Sequence, residues 1–533
     1  MSTVSFRANL AAQNFPFVAQ HQGKTVIIPQ YDQSYNPRLN TSPDDGSRDL
    51  GVPQVYYCHN VLPVAEGIAS AGFTQVGGCP GAAPVYTTFA IRDPSTNAAG
   101  YLFILTDGTS WFYDGALWHL GAYVEGPFTT ELITLANVMG RTFICIAGRD
   151  IHEFDYVTLT MGPVAFNFTS PDFPTPVIPL GVTSGMGYVV CWDKDQIYWS
   201  STVENSVPFN PVDFVPSDIT GAGRTLLGQA KGTIKYCVSH LLGFMVYCQN
   251  NIVAGVATGN AMYPFNFREL VSSGGAIYYQ DITQDSVTSD HIVYTTSGLQ
   301  SISYQQANTK FPELTDFISG RYFEDFDETT NTFTRRSIQY FKHAVTMVSD
   351  RYLMISYGDA ALPIAGNLYS HALVYDTAMK RWGKLKFPHQ QIFEDIAFGS
   401  AIIDMQPKSS VMFVQNNGTI HKLEFDPHEV GTVHTGVVII GKFQLARAKM
   451  STLLEFNVDN APVSGQTYTC SVLNSVDGKS DGAALFHNLT PSYSAEATSQ
   501  FLCRLTGMNQ SICFYGAFRL SSVVLKLAQH GKR

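Results

Sequence analysis

One hairpin pattern recurs seven times between residues 101 and 425, and no other feature restricts the possible folds of this chain as strongly. The clearest copy, YLFILTDGTSWFYD from Tyr101 to Asp114, is an apolar run, an Asp-Gly pair typical of tight turns, and an aromatic run. The copies begin at residues 101, 142, 187, 243, 291, 352 and 411, and the copy at 352 is split by a longer loop. The separations of 41, 45, 56, 48, 61 and 59 residues suit β-propeller blades, some with insertions.

The strands in these hairpins are apolar on both faces, as in Leu102 to Leu105, so both faces must be covered. A propeller covers each antiparallel sheet with two neighbouring blades, whereas a β-sandwich leaves one face of each sheet in water. Several second strands also end on an aromatic residue followed by Asp: Tyr113-Asp114, Phe154-Asp155, Tyr375-Asp376 and Phe425-Asp426. The alternative is a string of β-sandwich domains, but the regular spacing favours an all-β propeller of about six to seven blades.

Composition agrees with a sheet-rich, folded chain. Of the 533 residues, 45% are hydrophobic and only 14% charged, which argues against disorder and against a helix-rich enzyme. The net charge of −10 divides into +3 for residues 427–533 and −13 for residues 1–426. Such an acidic chain argues against a basic groove for nucleic acid, although an acidic wall would let DNA slide through a conduit without sticking.

We predict three domains from changes in pattern along the chain. Residues 1–95, rich in Gly, Pro, Asn and Ser, form an extended arm and platform module; residues 96–426 form the propeller; and residues 427–533, with longer alternating strands, form a small β-sandwich. The chain begins without the apolar run of a signal peptide, and no apolar run reaches the length of a membrane-spanning helix. The nine cysteines include no CxxC pair, so we expect free, mostly buried thiols in a reducing compartment.

Motifs of known chemistry are missing or incomplete. No Gly-x-Ser-x-Gly nucleophile motif occurs, and the GKS at Gly478 to Ser480 has Leu473 where a phosphate-binding loop needs glycine, so Asp477-Gly478 is better explained as a hairpin turn. His152-Glu153 lies in a predicted strand and has no second His four residues after the first. The other histidines are scattered.

Two charged features of the sequence are candidate binding sites. The acidic segment Phe323 to Asn331 lacks the spacing of a calcium loop and is interpreted as a solvated insertion. The basic pairs Arg335-Arg336 and Lys380-Arg381 lie in an acidic background, which argues against binding of nucleic acid. The sequence therefore predicts no enzyme activity, and no catalytic, cofactor-binding or metal-binding residue.

Three phrases of the sequence resemble tail proteins of short-tailed bacteriophages. The segment from Leu39 to Phe73 contains an "NV-P-x-x-G" phrase, here Asn60 to Gly67, after a proline-rich arm. The segment from Asp350 to Lys386 is similar to a blade phrase of the same proteins: a strand, a Tyr-Asp pair, then Trp and Leu. The C-terminal run from Phe443, ending in FYGAFRLSSVVLKLAQHGKR, is similar to their closing β-module.

The resemblance implies a tail nozzle, also called a tail tubular protein. Members of that family form a ring, usually a hexamer, below the head-to-tail adaptor, with β-propellers around an axial DNA channel. The expected partners are other copies of the chain, the portal-side adaptor ring, tail fibre, spike or needle proteins, and passing double-stranded DNA without sequence specificity. The expected location is the virion tail, assembled in the host cytoplasm, and part of the negative charge should face the DNA path.

Two other functions remain open at this point. A propeller lectin or receptor-binding protein would stack sugars on tryptophan, and the chain has five, at 111, 118, 192, 199 and 382. A carbohydrate-active propeller enzyme would need two carboxylates that converge at the channel mouth, and the sequence places no such pair.

Overall fold

The computed structural model is built almost entirely of antiparallel strands. It describes residues 3–10, 26–27, 48–49, 55–93, 95–96, 99–121, 126–171, 177–202, 210–260, 263–271, 274–285, 288–295, 298–311, 323–327, 332–336, 338–348, 351–359, 367–394, 411–425, 435–444, 450–460, 468–475, 485–489, 493–494, 498–507 and 509–529. Among the residues in these ranges, no helix is long and apolar enough to cross a membrane.

Seven strands precede the first complete blade. They are β1 (Thr3–Asn9), β2 (Val26–Ile27), β3 (Arg48–Asp49), β4 (Val55–His59), β5 (Val61–Val64), β6 (Gly67–Ser70) and β7 (Gly72–Gly78).

Seven antiparallel blades of four strands follow; six are separate sheets, and blade 6 is part of a sheet of twelve strands. Blade 1 has β8 (Val85–Arg92), β9 (Ala99–Leu105), β10 (Ser110–Tyr113) and β11 (Trp118–Leu120). Blade 2 has β12 (Ile133–Val138), β13 (Arg141–Ile146), β14 (Ile151–Asp155) and β15 (Thr160–Val164). Blade 3 has β16 (Gly181–Gly185), β17 (Tyr188–Trp192), β18 (Gln196–Trp199) and β19 (Gly223–Leu226). Blade 4 has β20 (Ile234–His240), β21 (Gly243–Cys248), β22 (Ile252–Ala257) and β23 (Phe265–Val271).

Blade 5 follows a 3-10 turn (Tyr279–Asp281) and has β24 (Ile282–Gln284), β25 (His291–Thr295), β26 (Gly298–Ile302) and β27 (Ala307–Thr309). A hairpin of β28 (Phe323–Asp327) and β29 (Thr332–Arg336) separates it from blade 6, which has β30 (Ile338–Val348), β31 (Tyr352–Asp359), β32 (Tyr369–Asp376) and β33 (Arg381–His389). Blade 7 has β34 (Gln391–Glu394), β35 (Val411–Val414) and β36 (Thr419–Glu424), with β7 as its fourth strand.

Strand β7 closes the propeller, because it pairs antiparallel with β36 from Gly72↔Glu424 to Gly78↔Thr419. The first strand of each blade lies nearest the axis, since β12 contacts β16, β16 contacts β20, β30 contacts β34, and β34 contacts β8. Seven apolar clusters fill the seven spaces between neighbouring blades. The cluster with Phe103 and Phe393 joins blade 1 to blade 7, so the described sheets form a complete circle.

The seven predicted hairpins are the second and third strands of the seven blades, and the propeller prediction is confirmed. These inner strands are covered on both faces, as expected, and all residues of β17 and β21 are buried.

The aromatic-Asp pairs have a local explanation. In Tyr113-Asp114, Phe154-Asp155 and Tyr375-Asp376, the aspartate ends the third strand and accepts backbone N–H groups of the turn that follows; Asp114 accepts from Ala116 and Leu117 at 2.8 and 2.7 Å. The aromatic residue packs between blades, as Phe154 does. The fourth pair ends at Asp426, outside the described residues.

The last eight strands build the predicted C-terminal sandwich, together with strands from the beginning of the chain. They are β37 (Gly436–Gln444), β38 (Ser451–Asn460), β39 (Tyr468–Ser475), β40 (Leu485–Leu489), β41 (Tyr493–Ser494), β42 (Thr498–Gly507), β43 (Asn509–Gly516) and β44 (Arg519–Gln529). One sheet has β1 paired with β44, which continues to β38, β42 and β41. The other has β4 and β2 on β37, followed by β43, β39 and β40. Their shared core includes Phe6, Val438, Phe456, Phe514 and Leu525.

The strand pairing differs from the predicted boundary between residues 95 and 96. Strands β7 and β8, assigned by sequence to the N-terminal module, are the fourth strand of blade 7 and the first strand of blade 1. Blade 7 combines strands from distant parts of the chain, and the glycine-rich GFTQVGG of β7 has no alternating pattern that would reveal this pairing. Most of the predicted arm before residue 55 lies outside the described residues.

All nine cysteines are free thiols, and all but Cys503 are buried. Burial raises the pKa of Cys58 and of Cys145 to about 12, so these thiols stay protonated and unreactive at neutral pH.

Candidate functional site

The three sequence phrases that resemble phage tail proteins meet at one junction between blade 6 and the sandwich. Strand β5 of the first phrase pairs with β33 of the second, with Lys384 opposite Val61. Strand β6 of the first phrase pairs with β44 of the third, with Ala69 opposite Arg519. The sheet of blade 6 therefore continues without interruption into the sandwich.

Arg381 joins blade 6 to the N-terminal strands. Its guanidinium donates to three carbonyl oxygens, those of Val64 at 3.0 Å, Leu10 at 2.8 Å and Gly67 at 3.0 Å. The residue is 8% exposed, and burial lowers the pKa of its guanidinium while Asp376 acts in the opposite direction. Of the basic pair Lys380-Arg381, Arg381 is therefore buried and bonded within the protein, whereas Lys380 is exposed.

Other contacts at the junction explain why particular residues occur in the phrases. The Asn60 side chain accepts from the Lys386 backbone N–H at 2.7 Å, and the Ser70 backbone N–H donates to the Phe518 carbonyl at 2.9 Å. Gly67 leaves no room for a side chain, because a Cβ there would lie 1.9 Å from the Leu520 carbonyl oxygen. Gly383 is similarly crowded, with the Val61 carbonyl oxygen 2.8 Å from the same point.

One end of the propeller carries an unusual set of exposed apolar side chains. In each blade, the turns from first to second strand and from third to fourth strand lie at the same end, which we call the turn face. Eight large apolar residues in these turns of blades 1–4 are exposed, and we call them the apolar set: Leu117, Met139, Val157, Met186, Ile219, Leu241, Leu242 and Tyr263. The first turns of blades 2 and 3 are direct neighbours, since the Met139 methyl lies 3.5 Å from where a Cβ on Gly187 would stand.

A groove of about 550 Å³ opens beside this face, at the rim between blades 3 and 4. Its lining includes Trp199, Pro216, Arg224, Tyr263, Phe265 and Phe267. Trp199 and Phe265 are buried, and the indole N–H of Trp199 already donates to the Gly221 carbonyl at 2.9 Å. Tyr263 is therefore the ring most available for contact.

Most of the other candidate residues from the sequence lie in strands. Trp192, Trp199 and Trp382 are buried, and Trp111 and Trp118 pack partly buried between blades 1 and 7. His152 is buried in β14, and its neighbour Glu153 forms an ion pair with Arg141 at 2.6 Å. The first part of the acidic segment, Phe323–Asp327, is a strand of the β28–β29 hairpin instead of a loop. Gly478 to Ser480 lies outside the described residues.

The innermost strands of the seven blades contain one acidic residue, Glu394 of β34. They contain three basic residues, which are Arg92, Lys235 and Lys342. These strands therefore do not supply the pair of carboxylates that a glycosidase needs. Within the described ranges, no three His, Cys, Asp or Glu side chains converge into a group that could hold a metal ion.

The buried histidines stabilise the packing between blades. His291 lies between Tyr247, whose hydroxyl is 2.7 Å from Nδ1, and the Ser239 carbonyl, 2.8 Å from Nε2. Burial lowers the pKa of His291 to about 3, and it lowers that of His389 to about 4. Both rings are therefore neutral in the folded protein near pH 7.

No protein-family model and no curated protein matches the chain. Among solved structures, YCF48 from Cyanidioschyzon merolae is 15% identical over 67% of this chain and 100% of that chain, with a TM-score of 0.35. The extracellular domain of a putative hybrid two-component system from B. thetaiotaomicron is 11% identical over 78% and 49%, with a TM-score of 0.36. The WD40 β-propeller domain of Doa1 is 8% identical over 66% and 97%, with a TM-score of 0.35. The fold assignment rests on the pairing of the strands.

Proposed function

We propose that this chain is a structural subunit of the tail of a short-tailed bacteriophage, a nozzle ring that encloses the DNA path, retains the packaged genome and conducts it during ejection. The observation that carries the proposal is the junction. The three phrases that resemble tail nozzle proteins are far apart in the sequence, yet β5, β33, β6 and β44 bring them together in one continuous sheet. The three phrases that carry the resemblance thus belong to a single three-dimensional unit.

The arrangement suits a mechanical role. A propeller joined to a sandwich through paired strands and a buried guanidinium is stiff, since bending at the junction would break backbone hydrogen bonds and expose Arg381. A subunit that contains pressurised DNA needs this stiffness. The exposed apolar set provides surface for neighbouring tail proteins, such as further copies of the chain or the adaptor ring.

In the proposed ring, DNA passes between the subunits and not through the channel of each propeller. The innermost strands carry more basic than acidic residues, whereas the negative charge of residues 1–426 lies elsewhere. Acidic surface toward the ring axis would repel phosphate and keep DNA mobile.

Deletion of the gene in the phage that encodes this chain tests the proposal. We expect wild-type particles to contain the protein, and mutant particles to package DNA but lose it and to be non-infectious. Absence of the chain from purified wild-type particles would overturn the proposal.

The buried and half-buried tryptophans make the lectin alternative a weaker proposal, because none of the five offers an open ring for a sugar. A glycan array would restore it if binding were lost on substitution of Tyr263, the exposed ring beside the groove.

A further inference from the structure

The apolar set contains two methionines in a backbone conformation that methionine disfavours. The turns Met139-Gly140 and Met186-Gly187 each connect two strands directly, and all four residues have positive φ, 47° and 82° in blade 2 and 47° and 85° in blade 3. This type of hairpin turn normally has Asn or Asp at its first position, because a longer side chain crowds the backbone there. Nevertheless the methionines are 61% and 55% exposed, so packing within the chain does not explain them.

The neighbouring turn, Leu241-Leu242 in blade 4, extends the same surface. It joins β20 to β21 and exposes both leucines. Adjacent blades thus present Met, Met and Leu-Leu at equivalent turns, where polar turn residues would be more favourable for an isolated protein in water. Flexible methionine side chains are common in surfaces that bind other proteins.

The charge around this surface is mostly negative. The connecting turns at this face in blades 1–5 contain no Lys or Arg, and their borders carry two arginines, Arg92 and Arg141, against seven aspartates: Asp93, Asp114, Asp155, Asp213, Asp218, Asp285 and Asp290. Several of these carboxylates cap their own turns, as Asp114 and Asp155 do, and so remain ionised. An apolar centre with an acidic border favours a partner surface that is apolar and basic.

The C-terminal sandwich of the same chain has those properties. Residues 427–533 carry a net charge of +3, in contrast to −13 for the rest. On its strand β42, Leu502 is 56% exposed, and Arg504, two residues further, is also exposed. A contact between different surfaces of two identical chains repeats around an axis and closes into a ring when the rotation allows it.

We propose that the apolar set around Met139, Met186 and Leu241 binds the C-terminal sandwich of a second copy on the sheet that contains β42, near Leu502 and Arg504. The proposal rests on the proposed ring for its occupant, and it specifies which surfaces form the subunit contact.

The double variant Met139→Asn/Met186→Asn tests it without unfolding the protein. Asn is better accepted at positive φ, so the melting temperature of the variant monomer should rise, by about 1 °C. Self-association measured by sedimentation should weaken at least about tenfold, because two apolar contacts are lost. The matched control is Leu226→Asn, since Leu226 is 65% exposed at the opposite end of blade 3 and should leave association unchanged.

A photo-crosslinking residue at position 186 identifies the occupant, and mass spectrometry of the linked peptides should map to residues 427–533 of another copy. Links to any other part of the chain, unchanged association of the double variant, or a monomeric wild type would each overturn the inference. Rings that persist in the double variant would overturn the contact but leave the proposed function standing, whereas absence of the chain from virions would remove the function alone.

Discussion

At the residue scale, single side chains with several partners connect the parts of this molecule. Arg381 is the clearest case, because its three acceptors belong to strands or strand ends near the beginning of the chain. The sequence showed only a Lys-Arg pair, and local pattern cannot reveal which of two adjacent cations is buried. Gly67 was visible as part of a phrase, but its reason, the Leu520 carbonyl oxygen, lies 453 residues away along the chain and depends on tertiary structure.

Replacing Arg381 with Met should lower the free energy of unfolding by about 2–4 kcal/mol, because three buried carbonyl groups lose their donor. Urea unfolding of the full chain measures this. Lys380→Met removes the same charge one residue away at an exposed position and should change stability by less than about 0.5 kcal/mol. Equal effects of the two substitutions would contradict the role given to Arg381.

Acid should destabilise the protein through its buried histidines. The pKa of His291 is about 3 in the folded protein and near its ordinary value of 6.5 in the unfolded chain. Below pH 6.5 the unfolded chain therefore binds a proton at this residue that the folded chain does not bind. Stability is therefore lost as the pH falls from about 6.5 toward 3, by about 1.4 kcal/mol per pH unit for this group. His291→Gln should reduce the slope of unfolding free energy between pH 6.5 and 5; an unchanged slope would show that His291 is not the source.

At the scale of elements, the sequence predicted the hairpins of the blades well and their outer strands poorly. The second and third strands of each blade are buried on both faces and read as apolar runs, as in β17 and β21. The fourth strands of blades 1 and 5, β11 and β27, have only three residues each, are half exposed or exposed, and have little pattern. Strand β7 could not be recognised as part of blade 7 because its glycine-rich sequence does not alternate, and the apolar set, which lies in turns, could not be assigned to one face without the strand pairing.

Gly67→Ala tests the close packing of β6 against β44. A Cβ would overlap the Leu520 carbonyl oxygen and lie 2.8 Å from the Ser521 Cα, both backbone atoms, so the strands must separate. We expect a loss of about 1–3 kcal/mol of unfolding free energy. Gly162→Ala on β15, where no atom lies within 4 Å of the new methyl, is the control and should be nearly neutral. A neutral Gly67→Ala would mean that the two strands are not this close.

At the scale of the whole molecule, both ends of the chain enter one sandwich, and a strand near the beginning closes the propeller. This arrangement connects blade 6 rigidly to the sandwich, and it leaves the apolar set and the acidic turns of blades 1–5 available to neighbours. The low overall charge is what we expect of a chain whose surface is partly covered in the proposed ring. The seven blades could be predicted from the sequence, because each repeats one hairpin. The places of the N-terminal strands in blade 7 and in the sandwich could not be predicted, because they depend on pairing between residues hundreds of positions apart.

Electron microscopy of the purified full-length protein tests the central claim, that this chain is a ring-forming tail subunit. We expect closed rings around an axial opening wide enough for double-stranded DNA, with one propeller per subunit arranged around it. The account would be contradicted if the particles had the mass of one subunit at every protein concentration and the protein were also absent from purified virions.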